Sequence, residues 1–441
     1  MFSRKPTILV IFGISGDLSK RYLLPAISSV AKAGMLPDDF RIIGLTRQVD
    51  INKNDLIKKI DNPDYIFNHL EIKQLDIDSL DDFKNLGSYL NKIEKEFNIP
   101  AQILFYLSVP PQASKFIIEM LGLSGLSSRD GTKLLLEKPF GTDLENATQL
   151  VKYIDKYFTP EQVYRVDHYM AKEMVQNIIV FREGNSLFRK TWNKDFIESI
   201  EVVVSEKLSI EGRVNFYEQT GALRDMVQSH LLQLLSLALM ELPTKENLEE
   251  VPSLRLKALE NLKIKNIGSC KRGQYKGYKD EVSNLLSQTE TFTSIEIESD
   301  DPKWIGIPMK LITGKVMNEK FTEIRILYKK ENKTEHESNK LIINIQPKGG
   351  IEFNIWAKHP GYEFKVNPHS LSFNFEEYYG VLPEAYEQVL FSAINGDHSL
   401  FTSSEEVIET WKILDLLQKE WQKNDNDLVI YEKGSEIDEL K

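Results

Sequence analysis

The chain has 441 residues, with 55 Lys and Arg against 66 Asp and Glu for a formal net charge of −11, and is 41% hydrophobic and 27% charged. At about 100–200 residues per domain this length suits two substantial domains, and the composition is globular rather than disordered or fibrous. An acidic chain without a basic stripe repels a phosphate backbone, so nucleic acid is not an expected partner. No stretch approaches the roughly 20 apolar residues of a membrane span, so no membrane association is expected either.

The chain opens on a short apolar run, Ile8–Phe12, with no small-residue cleavage pattern after it, and this run reads as a buried strand. Thr7–Phe12, Arg41–Leu45, Ile103–Ser108 and Lys133–Glu137 read as strands separated by amphipathic helical segments, the rhythm of a parallel doubly wound sheet. From about Asp167 the rhythm changes. Ile197–Glu206, Glu323–Lys329, Leu341–Gln346, Ile351–Lys358 and Ser370–Phe375 are long strand-like runs, which predict an α+β domain with a large, mainly antiparallel sheet. The expected division is residues 1–166, a Rossmann-like domain, and 167–441, an α+β domain. Leu223–Leu242 is apolar nearly all round and predicts a buried helix. Ser403-Ser404-Glu405-Glu406 predicts a capped helix carrying Val407, Trp411 and Leu414 on one face. Lys329–Lys340 and the tail after Asn424 are charged and poor in apolar residues, and read as exposed loops. The single cysteine, Cys270, excludes intrachain disulfides and fits a reducing compartment, with the cytoplasm as the default.

Five groups of residues carry chemistry. The strand Ile8–Phe12 runs into Gly13-Ile14-Ser15-Gly16-Asp17-Leu18-Ser19-Lys20 and then a helical pattern, which would aim backbone N–H groups and a helix dipole at a pyrophosphate. Ser15 stands where the second glycine of the usual fingerprint belongs, so a plain tight turn is the competing reading. Thr46-Arg47-Gln48 ends the second strand without an acidic residue for a ribose diol, and Arg47 suits a 2′-phosphate. In Arg165–Glu173, a helix starting near His168 would put His168 and Lys172 on one face beside Tyr169, donors for a phosphate dianion, unless this is only a solvated first turn. His230 lies within the apolar helix; a core histidine is the bland reading, and Asp167, Glu206 and Asp225 are carboxylates that could serve it as a base. In an α-helix Asp225 and His230 are about 140° apart, which makes Asp167 the better orienter. Lys138 ends a buried strand on the ligand side of such a sheet. The seven histidines lack metal-ligand spacing, so no metal is expected.

At these residues the sequence resembles the glucose-6-phosphate dehydrogenase family along nearly its whole length. Gly13-Ile14-Ser15-Gly16-Asp17-Leu18 is similar to that family's modified dinucleotide fingerprint, and Glu137-Lys138-Pro139-Phe140-Gly141 to its E-K-P-F-G. Arg165-Val166-Asp167-His168-Tyr169 with Lys172-Glu173-Met174-Val175-Gln176-Asn177 matches its R-[IV]-D-H-Y-x-x-K-E-M-V-Q-N signature. Gly221-Ala222-Leu223-Arg224-Asp225, running on to His230, is a further match. The resemblance implies His230 as base with Asp167 orienting it, and His168, Tyr169 and Lys172 on the substrate phosphate. It implies Glu206, Asp225, Lys315 and Lys320 on the sugar and Lys138 bridging sugar and nicotinamide. Gly13, Ser15, Gly16, Asp17, Leu18, Thr46 and Arg47 would bind NADP, with NAD a weaker second cofactor. Glucose 6-phosphate is the implied substrate, and a homodimer or homotetramer the implied assembly. The chain is shorter than members usually are around Lys329–Lys340, and Gly434-Ser435-Glu436 replaces a G-S-W-G-P-like ending. These departures bear on the accessory C-terminal NADP site of some eukaryotic members and on tetramer contacts. Two other readings compete: a two-domain dehydrogenase of an unphosphorylated sugar, and a non-catalytic NADP or sugar-phosphate sensor.

Overall fold

The structure, a computed structural model, describes residues 5–58, 60–210, 212–244, 247–330, 336–423 and 427–441. It divides into two compact units. The first comprises Met1–Gly141, Glu145–Ala171 and Pro383–Ser404; the second comprises Thr142–Leu144, Lys172–Leu382 and Glu405–Lys441.

The first unit is built on a seven-stranded sheet. Its strands are β1 (Thr7–Phe12), β2 (Phe40–Thr46), β3 (Leu70–Gln74), β4 (Gln102–Leu107), β5 (Thr132–Leu136), β6 (Val163–Val166) and a short late strand, Phe401–Thr402. The spatial order is Phe401–Thr402, β6, β5, β4, β1, β2, β3, and only the late strand is antiparallel to its neighbour. Every residue of β1 and β4 is buried, as expected where helices cover both faces of a parallel sheet. Chain order reverses between β4 and β1, which opens a crevice at their carboxyl ends. Leu80–Phe97 shows why the covering helices form. Ser79 accepts the Asp82 N–H at 3.2 Å as N-cap, and Phe83, Leu86, Leu90, Ile93 and Phe97 repeat at helical spacing and are buried. Each such side chain contributes about 1.5–3 kcal/mol.

The second unit holds a ten-stranded sheet. In chain order its strands are β7 (Ile197–Ser205), β8 (Leu262–Ile264), β9 (Lys271–Tyr275), β10 (Phe292–Ser299), β11 (Met309–Gly314), β12 (Phe321–Tyr328), β13 (Lys340–Gln346), β14 (Gly350–Lys358) and β15 (Val366–Asn374). With Phe401–Thr402 of the first unit counted as β16, the last is β17 (Leu428–Tyr431). The order is β15-β14-β13-β12-β7-β11-β10-β9-β17, with β8 on β10. Most pairs are antiparallel, while β7 with β11 and β9 with β17 are parallel, so the sheet is mixed.

Two sequence expectations change here. The tail after Asn424 is not all exposed loop: β17 pairs with β9, and Tyr431 and Ile437 are buried. Residues 331–335 and 424–426 lie outside the described residues, so the loop reading there is not addressed. The helix expected over Leu223–Leu242 runs Leu223–Leu239, with a wide π turn over Leu223–Leu231. Where it stops, side chains satisfy the carbonyls at its end. Arg182 donates to Leu237 and Met240 at 2.9 and 2.7 Å, and the indoles of Trp192 and Trp304 donate to Ala238 and Leu239 at 2.8 and 2.9 Å. The helix Ser404–Trp421 forms as expected, with Val407, Trp411 and Leu414 buried.

Candidate active site

In the first unit the sequence after β1 turns back sharply. Gly13 adopts φ +82, and a Cβ there would stand 2.3 Å from the Ser108 carbonyl oxygen, so only glycine lets β1 and β4 end side by side. Gly16 N–H donates to Gly13 O at 2.9 Å and Gly13 N–H to Leu45 O at 3.0 Å. Ser19 donates to Gly13 O and to Ser108 Oγ, each at 3.0 Å, so it ties the turn to the end of β4. The next helix begins at Asp17 and Leu18, its N-terminus facing the turn.

These residues border a cavity of about 270 Å³ lined by Gly13, Ser15, Gly16, Thr46, Arg47, Gln48 and Ser108, with Leu75, Ile77, Pro110, Ala113 and Ile117 forming apolar walls. Among the described residues the Arg47 guanidinium makes no hydrogen bond or ion pair, and Thr46 Oγ1 accepts the Gln48 N–H at 3.1 Å. A turn of backbone N–H groups, a guanidinium without an internal partner among the described residues and apolar walls suit a dinucleotide.

Lys138 follows β5. Beside it the Glu137 carboxylate accepts from the hydroxyls of Tyr106 and Tyr386. Burial pushes its pKa up to about 7, the Asp167 charge adding to that, while the two tyrosines and Lys138 pull the other way. Glu137 opens the E-K-P-F-G match, but no local sequence pattern signals its two tyrosine partners. Asp167 follows β6, is 2% exposed, and accepts the Tyr169 N–H on Oδ1 at 2.9 Å. This short turn holds residues 168–171 out of the helix, which starts at Glu173 with Lys172 as an extended N-cap residue. The expected helical face shared by His168 and Lys172 is therefore not formed. The rings of His168 and Tyr169 instead meet edge to face, 4.9 Å apart.

In the second unit Lys315, just after β11, donates to Glu206, just after β7, at 2.6 Å. Its ammonium also lies 5.0 Å from the centre of the Tyr217 ring. Tyr217 is buried, and among the described residues its hydroxyl has no hydrogen-bond partner. Burial, and then the charges of Asp225, Glu290 and Glu206, push its pKa far up. Glu206, Lys315 and Tyr217 are thus neighbours, and the Asp225 charge acts on the same tyrosine, an arrangement of acceptors and one cation suited to sugar hydroxyls. Tyr217 escapes sequence reasoning because it is one aromatic among several. His230 lies in the wide turn of the buried helix, 1% exposed. A π turn bonds residues five apart, so the α-helical angle separating Asp225 from His230 does not apply here. Lys320 stands exposed before β12 without an ion pair among the described residues.

Residues 10–177 match the model of the glucose-6-phosphate dehydrogenase NAD binding domain, and residues 179–439 that of the glucose-6-phosphate dehydrogenase C-terminal domain. The chain belongs to the glucose-6-phosphate dehydrogenase family. It is 35% identical to glucose-6-phosphate 1-dehydrogenase of Borreliella burgdorferi, over 97% of this chain and 94% of that one. It is 34% identical to the enzyme of that name from Bacillus subtilis, over 97% and 94% of the two chains. A solved glucose-6-phosphate dehydrogenase in complex with its substrate glucose-6-phosphate superposes with a TM-score of 0.93 at 30% identity, covering 99% of this chain and 96% of that one. Among the described residues no helix is long and apolar enough to cross a membrane.

Proposed function

We propose that this chain oxidises D-glucose 6-phosphate at C1 to 6-phospho-D-glucono-1,5-lactone, passing hydride to NADP, in the oxidative branch of pentose phosphate metabolism. Family membership over the whole chain, with each chemistry-bearing motif retained, is the observation that carries this reading. His168, Tyr169 and Lys172 are assigned to the substrate phosphate, Glu206, Asp225, Lys315 and Lys320 to the sugar, and Lys138 to both substrate and coenzyme.

His230 is assigned as the base. As hydride leaves C1, positive charge grows on a carbon bearing a hydroxyl, and removing the hydroxyl proton completes the lactone carbonyl. A neutral imidazole suits that transfer near neutral pH, and Asp167 is assigned to orient it and stabilise the imidazolium. Gly13, Ser15, Gly16, Asp17, Leu18, Thr46 and Arg47 would hold the coenzyme, which when bound supplies the hydride acceptor. NADP is favoured over NAD because Arg47 is a guanidinium without an internal partner among the described residues.

We also propose a homodimer or homotetramer built on the β14–β15 end of the large sheet, where Tyr362, Phe364, Leu371, Tyr378, Tyr379 and Val381 are exposed. The single cysteine, Cys270, supports work in the cytoplasm. One assay separates this reading from its rivals: reduced coenzyme is followed with glucose or glucose 6-phosphate, each with NADP or NAD. Turnover only with glucose 6-phosphate, and faster with NADP, is expected. Preference for glucose supports a dehydrogenase of an unphosphorylated sugar, and silence in all four mixtures a non-catalytic sensor.

A further inference from the structure

The helix that carries Asp225 and His230 does not continue the one before it. At Gly221 the backbone swings to φ +64, ψ 176, a left-handed value that ends Val214–Ala222 as a regular helix, so a new start is made at Ala222 and Leu223. The first N–H groups of such a start have no acceptor within the helix. Both are taken by one distant residue. Ala222 N–H donates to the Glu290 carbonyl at 2.9 Å, and Leu223 N–H to Glu290 Oε1 at 2.8 Å. A Cβ on Gly221 would stand 2.4 Å from that same Oε1, so the bare glycine makes the room.

The neighbour of Glu290 makes a second connection. Thr291 N–H donates to Gly273 O in β9 at 2.7 Å, and Thr291 O accepts the Lys315 N–H at 2.9 Å. Two consecutive residues therefore hold the start of the His230 helix and the backbone of the lysine that pairs with Glu206. A local Ser, Asn or Asp would cap a helix without burying a charge. Here a carboxylate 9% exposed does it. Burial pushes its pKa up, against the pull of the Leu223 and Glu290 amides, Arg224 and Arg272. What a distant cap adds to a local one is register between elements.

We propose that Glu290 is a positioning residue: it fixes where the His230 helix begins and, through Thr291, holds that helix in register with the Lys315–Glu206 pair. This rests on the reading of His230 as base. A helix start that slips by one residue moves every side chain after it both along and around the axis, by on the order of 1 Å or more along it. An error near 1 Å in reacting geometry can cost about 10²-fold in rate.

The test compares Glu290→Gln, which keeps an acceptor at the same reach, with Glu290→Ala and with Glu290→Asp, which keeps the charge but is one methylene short. Melting temperature, kcat and both KM values are measured, alongside His230→Asn. We expect Glu290→Ala and Glu290→Asp to lose about 10–100-fold in kcat with KM for NADP unchanged, and Glu290→Gln to recover most of it. Should Glu290→Ala not fold, the order of Gln above Asp in kcat decides the question equally well. Wild-type kcat in every folded variant, or Asp matching Gln, overturns the proposal. If His230→Asn is inactive while the Glu290 variants turn over normally, only the positioning role fails; if His230→Asn itself turns over normally, the base assignment fails.

Discussion

Lys315 and Glu206 form an unequal pair: their charged atoms are 2.6 Å apart, yet the lysine side chain is 3% exposed and the glutamate 28%. Removing Lys315 leaves a carboxylate that water can reach, whereas removing Glu206 strands a buried ammonium. Glu206→Ala should therefore destabilise the fold more than Lys315→Met, by a few kcal/mol and toward the low end of the roughly 3–5 kcal/mol seen when a buried pair is broken. Urea unfolding of both variants checks this, and equal losses would mean that the partly exposed carboxylate is not what compensates the lysine. Both variants should also raise the KM for glucose 6-phosphate.

Arg47 sets the coenzyme preference if its free guanidinium meets the 2′-phosphate. Arg47→Ala should weaken NADP by about 1.5–3 kcal/mol, the scale of a hydrogen bond to a charged group, and leave NAD almost unchanged. Titration of each coenzyme measures this directly. Equal weakening of both would place Arg47 outside the phosphate site.

Glu137 predicts a dependence of stability on pH. Its pKa in the fold is about 7, against an ordinary value of 4.5. Between those values the folded chain keeps a proton that the unfolded chain has released, so stability from this group falls as pH rises through the window and is level above it. The loss should be on the order of 2 kcal/mol, less than the full shift implies because the side chain keeps some contact with water. Glu137→Gln keeps an acceptor for Tyr106 and Tyr386 and removes the titration. Its melting temperature relative to the parent should rise from pH 5 to pH 8; a constant difference would show that Glu137 ionises normally.

The parts of this fold that sequence made legible are those where burial is apolar. β1, β2, β4 and β5 are dominated by Ile, Leu, Val and Phe, and β13 alternates Leu341, Ile343 and Ile345 inward, so each is found to within a few residues. β9 is not, because Lys271-Arg272-Gly273-Gln274-Tyr275 looks like a loop. Its polar residues are buried by pairing: Arg272 with Asp427 at 2.6 Å and Gln274 with the Thr289 carbonyl at 2.9 Å. Such partners lie far off in sequence, and so do β17 and the return of Pro383–Ser404 to the first unit. The site behaves the same way. Motif residues were legible; Tyr217 and Glu290 were not, since each gains its place from contacts that no local pattern encodes.

The last prediction separates chemistry from binding. His230 is 1% exposed on a helix whose residues from Met226 to Met240 are all buried, so substitution must preserve both polarity and size to be informative. Asn does so and cannot take the proton at physiological pH. His230→Asn should lower kcat by about 10²–10⁴-fold, the contribution of a general base, while glucose 6-phosphate still binds and the melting temperature moves little. Asp167→Asn should also lower kcat. It must do so with a side effect, because Asp167 Oδ1 takes the Tyr169 N–H at 2.9 Å and so shapes the turn that presents His168 and Tyr169. If the amide oxygen of Asn keeps that turn, the KM for glucose 6-phosphate stays near normal and the fall in kcat reports the lost orienter. A kcat unchanged in His230→Asn would remove the base. Loss of substrate binding together with a lower melting temperature would instead make His230 a core residue whose ring only fills its helix.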